Sequence, residues 1–419
     1  MNKTFTALVT CAGCLFLLAV PTHATEWFIS PIGSDANPGT SELNAFKSLQ
    51  KADSMLAPGD TITALDGTYP AGAITKSGTP GAWITVRARN WRRPTFSLAE
   101  SARQNPGNKS VPEWNGFGLA NVSYVKLIGL TVEGWNPSHA VVSSGHGICI
   151  QSCHHITVQD CRVKDCSGAG IGGSPEYWIG NKKVTGPLDF ITIEDNEVSG
   201  CAYWCQYDTS GISLWVAKDA GLGADPSGYN IVVRRNISRE NANKAGMDGK
   251  DITTATDGNG IIIDSFEAYP YRTLVEGNLV YNNGGRGVTS THSSNLTYRH
   301  NTCWHNCCNA LGIGSGGPWK TGELDAEVGD NVLIEDNIAV SNNKPWSQAL
   351  VLSATNAILK NNLLNGPRMV DKIVHLTENG TITDDPRFIN PSTDPTVALF
   401  RLKTGSPANG LGACQAGKK

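Results

Sequence analysis

Over most of the chain, apolar and polar residues alternate in runs of a few residues, and the runs recur. "HITVQDCRVKDC" from His155, "FITIEDNEVSGC" from Phe190 and "NIVVRRNISREN" from Asn230 share one frame with "RTLVEGNLVYNN" from Arg272, "NLTYRHNTCWHN" from Asn295 and "NVLIEDNIAVSN" from Asn331. The frame is apolar-x-apolar-x-x-Asn-x-apolar-x-x-Asn. Period-two alternation predicts short strands with one buried face. The turn position is held by Cys161, Asn196, Asn236, Asn278, Asn301, Asn337 and Asn362. Asparagine tolerates left-handed backbone geometry there, and its amide can bond to the same residue one repeat further on. A second strand opens on a small residue: "GICI" at Gly147, "GIGG" at Gly170, "GISLW" at Gly211, "GIIID" at Gly260, "GVTS" at Gly287 and "ALGIG" at Ala310. The closest turn asparagines, Asn278 and Asn301, are 23 positions apart, enough for one three-strand coil. Longer intervals are a coil plus an inserted loop. Neither propeller-blade motifs nor helical periodicity interrupts the pattern, so it predicts an all-β chain wound as a parallel β-helix, a solenoid whose coils pack on their neighbours.

These repeats resemble the right-handed parallel β-helix superfamily of secreted carbohydrate-active proteins, of polysaccharide lyase-like type. The opening "EWFISPIGSDANPGTSELNAFKSLQKADSMLAPGDTITALDGTY" is similar to the N-terminal cap and first coil of such proteins, here residues 25–70. The closing "DDPRFINPSTDPTVALFRLKTGSPANGLG" is similar to their last coil, within 380–419. The resemblance implies one right-handed β-helix domain over residues 25–419. Within the cap, Ala45 to Leu56 is expected to form a short helix over the open end of the core, where strand edges would otherwise be exposed.

The alternation also sets a register. Ile212 and Leu214 point inward, as do Ile261 and Ile263, so Ser213, Trp215 and Asp264 point outward. In the residues before each Gly, Asp208 aligns with Asp257, while His146, Ser210, Asn259 and Arg286 share one level. Adjacent coils lie about 4.8 Å apart, so Asp208, Trp215, Asp257, Asn259, Asp264, Arg286 and His292 are expected to share one surface. Insertions at 172–188, 216–229, 265–270 and 314–330 follow the same strand, and 242–256 precedes it. They carry Tyr177, Trp178, Lys218, Tyr269, Trp319 and Lys320. Long loops on one side of a solenoid form its binding face, and aromatics there suit stacking on sugar rings.

Three chemistries fit such a groove. β-Elimination on a uronic-acid polysaccharide, the leading expectation, needs a base and a cation to stabilise the enolate-like intermediate. Arg286, Lys250 and His292 are the basic candidates. A calcium ion held by Asp208, Asp257 and Asp264 would supply positive charge, since carboxylate oxygens suit that ion. The run "YDTSGISLW" resembles the metal-binding strand of a calcium-dependent pectate lyase family. It lacks that family's second Asp before the Gly and the one inside the strand, having Thr209 or Ser210 and Ser213 instead. Hydrolysis would pair two carboxylates, Asp257 and Asp264, with Asp208 as a third. A non-catalytic glycan-binding or adhesive β-helix is the third reading. Expected substrate contacts are Trp215, Asn259, His146, Tyr177, Trp178 and Trp319.

Composition narrows the compartment. Residues 1–24 read as a secretory signal peptide: a Lys, an apolar stretch too short for a membrane span, then small residues at Thr22 and Ala24. A secreted or periplasmic location follows. The formal net charge is −3, and losing Lys3 takes it to about −4, which argues against nucleic acid as a partner. A polysaccharide partner, no membrane and a monomer are expected. Of twelve cysteines, ten lie beyond the signal, where disulfides are allowed. Cys166 and Cys201 occupy equal places on successive coils, within disulfide reach. The spacings are not those of a structural zinc module.

Overall fold

The computed structural model describes residues 24–104, 115–134, 145–179, 182–203, 205, 209–242, 257–308, 321–371 and 375–413. The expected signal peptide, Asp208, Lys250 and Trp319 fall outside these residues, and Trp178 is described in backbone only.

Three long parallel sheets run side by side. The first, of twelve strands, begins at Glu26–Ile29 and ends at His375–Asn379. The second, of ten, runs from Gly67–Pro70 to Leu363–Asn365, and the third, also of ten, from Gly72–Ile74 to Arg368–Val370. The chain visits first, second and third sheet in turn and then starts the next coil, which is a parallel β-helix. Inward residues form one continuous apolar core, with Ile212, Leu214, Ile261, Ile263 and Val288 all fully buried. The cap helix, Leu49–Met55, lies within the expected range, and the Ser48 side chain caps its N-terminus.

At the corner between first and second sheets the turn asparagines stack as anticipated. The Asn236 side-chain oxygen accepts from Asn196 N and Nδ2 (3.0 Å each), and Asn278 does the same for Asn236 (2.9 and 3.0 Å). The ladder continues through Asn301 and Asn337 to Asn362. The left-handed conformation, however, belongs to the residue before each asparagine: Asp160, Asp195, Arg235, Gly277, His300, Asp336 and Asn361. Only one of these is glycine. Left-handed geometry costs a non-glycine residue roughly 1–2 kcal/mol, and the buried amide ladder beside it offsets that. Asparagine is therefore selected for its side-chain bonds, not for its backbone freedom.

A second ladder stands at the next corner, through Cys201, Asn241, Asn283 and Asn306. It ends on Glu323, whose two oxygens accept from Asn306 N (2.9 Å) and Nδ2 (2.6 Å). Cys166 and Cys201 sit in this column on successive coils as expected. They are free thiols in contact with each other, not a disulfide.

Candidate active site

The third sheet carries the site, because its outward positions repeat at fixed levels. Ile212 pairs with Ile261, Ile261 with Val288, and Val288 with Leu324. Three residues further along each strand, Trp215, Asp264, Thr291 and Glu327 therefore form one outward column. Trp215 is 41% exposed, and Asp264, Thr291 and Glu327 are half-buried. The predicted register of Ile212, Leu214, Ile261 and Ile263 is the observed one.

The sequence reading missed Glu323, Asp325 and Glu327. It placed the strand at Ala310 and took 314–330 as an insertion. The strand in register is Thr321–Glu327; residues 309–320 lie outside the described structure. The missed signal was the alternation in "GELDAE", whose inward Leu324 and Ala326 match Val288 and Ser290. Polar residues at every other place, with Glu323 where other coils have Gly, disguised it. The insertion expected from 172 also begins later: Ile171–Ser174 is a strand of the sheet, followed by a hairpin of Glu176–Ile179 and Lys182–Thr185.

Arg286 lies at the start of its strand and its side chain runs along the groove. Nε meets Asp325 Oδ2 at 3.0 Å and Nη2 meets Glu327 Oε1 at 3.2 Å. The Arg286 side chain is 12% exposed and that of Asp325 0%. Burial alone would lower the guanidinium's pKa, but Asp325 and Glu327 more than compensate and hold it above the ordinary value. Burial pushes Asp325 well up from the carboxylate range against the pull of Arg286, and Glu327 adds to the rise. One guanidinium cannot fully neutralise two carboxylates, and the buried Asp325 is the member whose ionisation is opposed. Asp325 Oδ1 is buried without a hydrogen-bond partner among the described residues. Arg286, a basic candidate from the sequence, thus belongs to an ion cluster with Asp325 and Glu327.

Of the three expected calcium ligands, Asp208 lies outside the described residues, and Asp257 and Asp264 stand at opposite ends of the strand Ile261–Asp264. Asp257 sits beside Asn259 (Asn259 Nδ2 to Asp257 Oδ1, 3.2 Å) at the entry to the strand, and Asp264 at its exit. The strand Ile261–Asp264 alone spans about 10 Å from first to last residue, whereas calcium ligands each lie about 2.5 Å from the ion. Among the described residues no group of three His, Cys, Asp or Glu is placed to hold a metal. Asn259, expected to touch substrate, is fully buried. It donates to Ser210 Oγ (3.0 Å) and accepts from Arg286 N (2.8 Å), so it pegs adjacent coils together.

His146 shares the level of Asn259 and Arg286 but stands three coils from Asn259, about 14 Å away. Its Nδ1 accepts from Ala169 N at 2.9 Å, and burial pushes its pKa down to about 4. It stands half-buried as a neutral ring linked to the next coil, well apart from the carboxylates. His292 is exposed just past Thr291, with Nδ1 3.1 Å from Thr291 Oγ1. Tyr177 is half-buried on the hairpin.

Among solved structures, a XylC–xylose complex matches with TM-score 0.54 at 11% identity, covering 83% of this chain and 70% of its own. A rhamnogalacturonan lyase matches with TM-score 0.54 at 15% identity, covering 93% and 100%. The pectate lyase Pel9A matches with TM-score 0.45 at 14% identity, covering 91% and 90%. Comparison with curated proteins finds no match. The family model for the Pel9A-like right-handed beta helix region matches residues 27–316, well over half the chain. The protein is therefore a member of the Pel9A-like right-handed β-helix family.

Proposed function

We propose that the protein is an exported enzyme that cleaves a polysaccharide lying along the outward column of the third sheet. The geometry supports acid–base hydrolysis best. The observation that carries this reading is the column itself: Asp264 and Glu327 project from one face with only Thr291 between them. Two coil steps separate their backbones by about 10 Å, close to the carboxyl spacing of about 6.5–9.5 Å that admits a water beside the scissile bond. Trp215, next in the column, offers an exposed ring for a neighbouring sugar. One of the two carboxyls protonates the leaving oxygen and the other activates water. Asp325 and Arg286 hold Glu327 in place from behind.

β-Elimination beside a uronic acid is the second reading. Arg286 favours it, because its guanidinium is held charged in the groove by Asp325, Glu327 and Asp257, where it suits a substrate carboxylate. The similarity to a rhamnogalacturonan lyase adds support. Against it stands the surplus of negative charge, with Asp257, Asp264, Asp325 and Glu327 around a single guanidinium. A calcium ion involving Asp208 would redress that surplus. The deciding experiment incubates the enzyme with a panel of neutral and uronate polysaccharides, with and without a chelator. New reducing ends without ultraviolet absorbance support hydrolysis. Absorbance of an unsaturated uronate replaces it with elimination, and a loss under chelator assigns calcium. Neither product from any polysaccharide refutes both.

A further inference from the structure

Where the third sheet turns the corner into the first, beside the coil of Trp215, the surface opens into a cavity of about 360 Å³. It is lined by Ser123, Ser152, His154, Gly186, Lys218 and Asp219 among others. A volume of roughly 300–1,000 Å³ is the ordinary range for small-ligand sites. Lys218 lies three residues beyond Trp215, and Ser152 directly follows the strand Ile148–Gln151. The cavity therefore continues the catalytic column toward the N-terminal coils.

Its polar groups are pre-set. His154 packs edge-on against Tyr124 (5.4 Å) and its Nδ1 lies 2.9 Å from Nδ1 of His155. His155 in turn is sandwiched between Tyr124 (4.4 Å) and Phe190 (4.2 Å). With Nδ1 so engaged, Nε2 is the His154 nitrogen left for a ligand. Burial lowers the His154 pKa, which keeps the ring neutral. The Lys218 backbone pairs in both directions with Leu188 (2.9 and 3.3 Å). Asp219 Oδ1 accepts from Gly221 N at 2.7 Å. The Gly186 N–H donates to Ser152 Oγ (3.0 Å) and to Pro175 O (2.8 Å), closing the base of the hairpin against the cavity wall. A cation, a carboxylate and a neutral imidazole side by side suit the mixed donors and acceptors of sugar hydroxyls better than a ligand of one charge. His154 and the Asp219 carboxylate, held in advance, lose little freedom on binding, while the exposed Lys218 side chain stands at the rim on a backbone fixed to Leu188.

We infer that this cavity is a remote subsite for one or two sugar units of the same polysaccharide, held by His154, Lys218 and Asp219. The inference rests on the polysaccharide reading above. The test is affinity electrophoresis of the full chain through gels containing pectin, rhamnogalacturonan, xylan or alginate, using Asp264→Asn so that cleavage does not confuse binding. Retardation by one polymer, weakened about tenfold when Lys218→Ala or His154→Ala is added, is the expected result, as tenfold corresponds to about 1.4 kcal/mol. In the otherwise wild-type chain, Lys218→Ala is expected to raise KM for the polymer and leave turnover of a short oligosaccharide unchanged. Retardation unaffected by both substitutions overturns the subsite alone. No retardation by any polymer overturns the polysaccharide reading and the subsite with it.

Discussion

Replacing Arg286 by Met removes the guanidinium and keeps most of the side-chain bulk. Asp325 is then left fully buried with only the Gly322 N–H at 3.2 Å on Oδ2, and nothing on Oδ1. Breaking a buried ion pair from one side costs about 3–5 kcal/mol. The orphaned carboxyl can escape part of this by taking a proton, which fixes the pH dependence. Its folded pKa rises further above the unfolded value, so the folded state binds the extra proton. The variant's stability relative to wild type is then greatest at low pH and falls as pH rises through the folded pKa. Urea unfolding at pH 6 and pH 9.5, on either side of the wild-type Asp325 pKa of about 8, measures this. Arg286→Met is expected to be destabilised at both, and more at pH 9.5. The double variant Arg286→Met with Asp325→Leu is expected to regain most of the loss, since an apolar pair can replace a buried ionic one without penalty, while remaining inactive because Glu327 is no longer held. Arg286→Met within about 1 kcal/mol of wild type at both pH values, a scale at which few such pairs survive, refutes the reasoning. So does a double variant no more stable than the single one.

Asp264→Asn and Glu327→Gln should each lower kcat by about 10²–10⁴-fold, the scale of losing a general acid or base, with unfolding midpoints near wild type; full turnover in either removes that residue from the mechanism. Asn278→Ala deletes four buried side-chain hydrogen bonds, to Asn236 N and Nδ2, Val233 O and Asn301 Oδ1. At about 1–3 kcal/mol per orphaned group, a loss of several kcal/mol is expected in urea unfolding, and a change under about 1 kcal/mol would contradict the ladder's role. His146, with its pKa pushed down to about 4 by burial, favours the folded state while neutral. That stability is present above its unfolded pKa of about 6.5 and is lost as pH falls toward 4, by up to ~3 kcal/mol. Comparing His146→Gln with wild type across pH 7 to 4 should show the variant losing less, and parallel curves would rule the effect out.

The sequence alone determined the coil, because a strand with one buried face must alternate and a solenoid must repeat. Ile212, Leu214, Ile261 and Ile263 were readable as inward, and Asn196 through Asn362 as one column, from spacing. It also placed Trp215 and Asp264 side by side, since equal positions on neighbouring coils are hydrogen-bonded partners. Tertiary structure decided what these positions do. Asn259 precedes and Asp264 ends the strand Ile261–Asp264, and no residue pattern distinguishes a half-buried groove carboxylate from a fully buried peg. Arg286 reads as exposed from its flanking glycines, but its long side chain folds back onto Asp325 and Glu327, residues 39 and 41 positions on. The strand carrying them hid in the sequence because Glu323, Asp325 and Glu327 put an acidic residue at every other position. Charge of that kind is tolerated on a buried strand only when a distant partner neutralises it, and the identity of a distant partner is fixed by packing, not by local pattern.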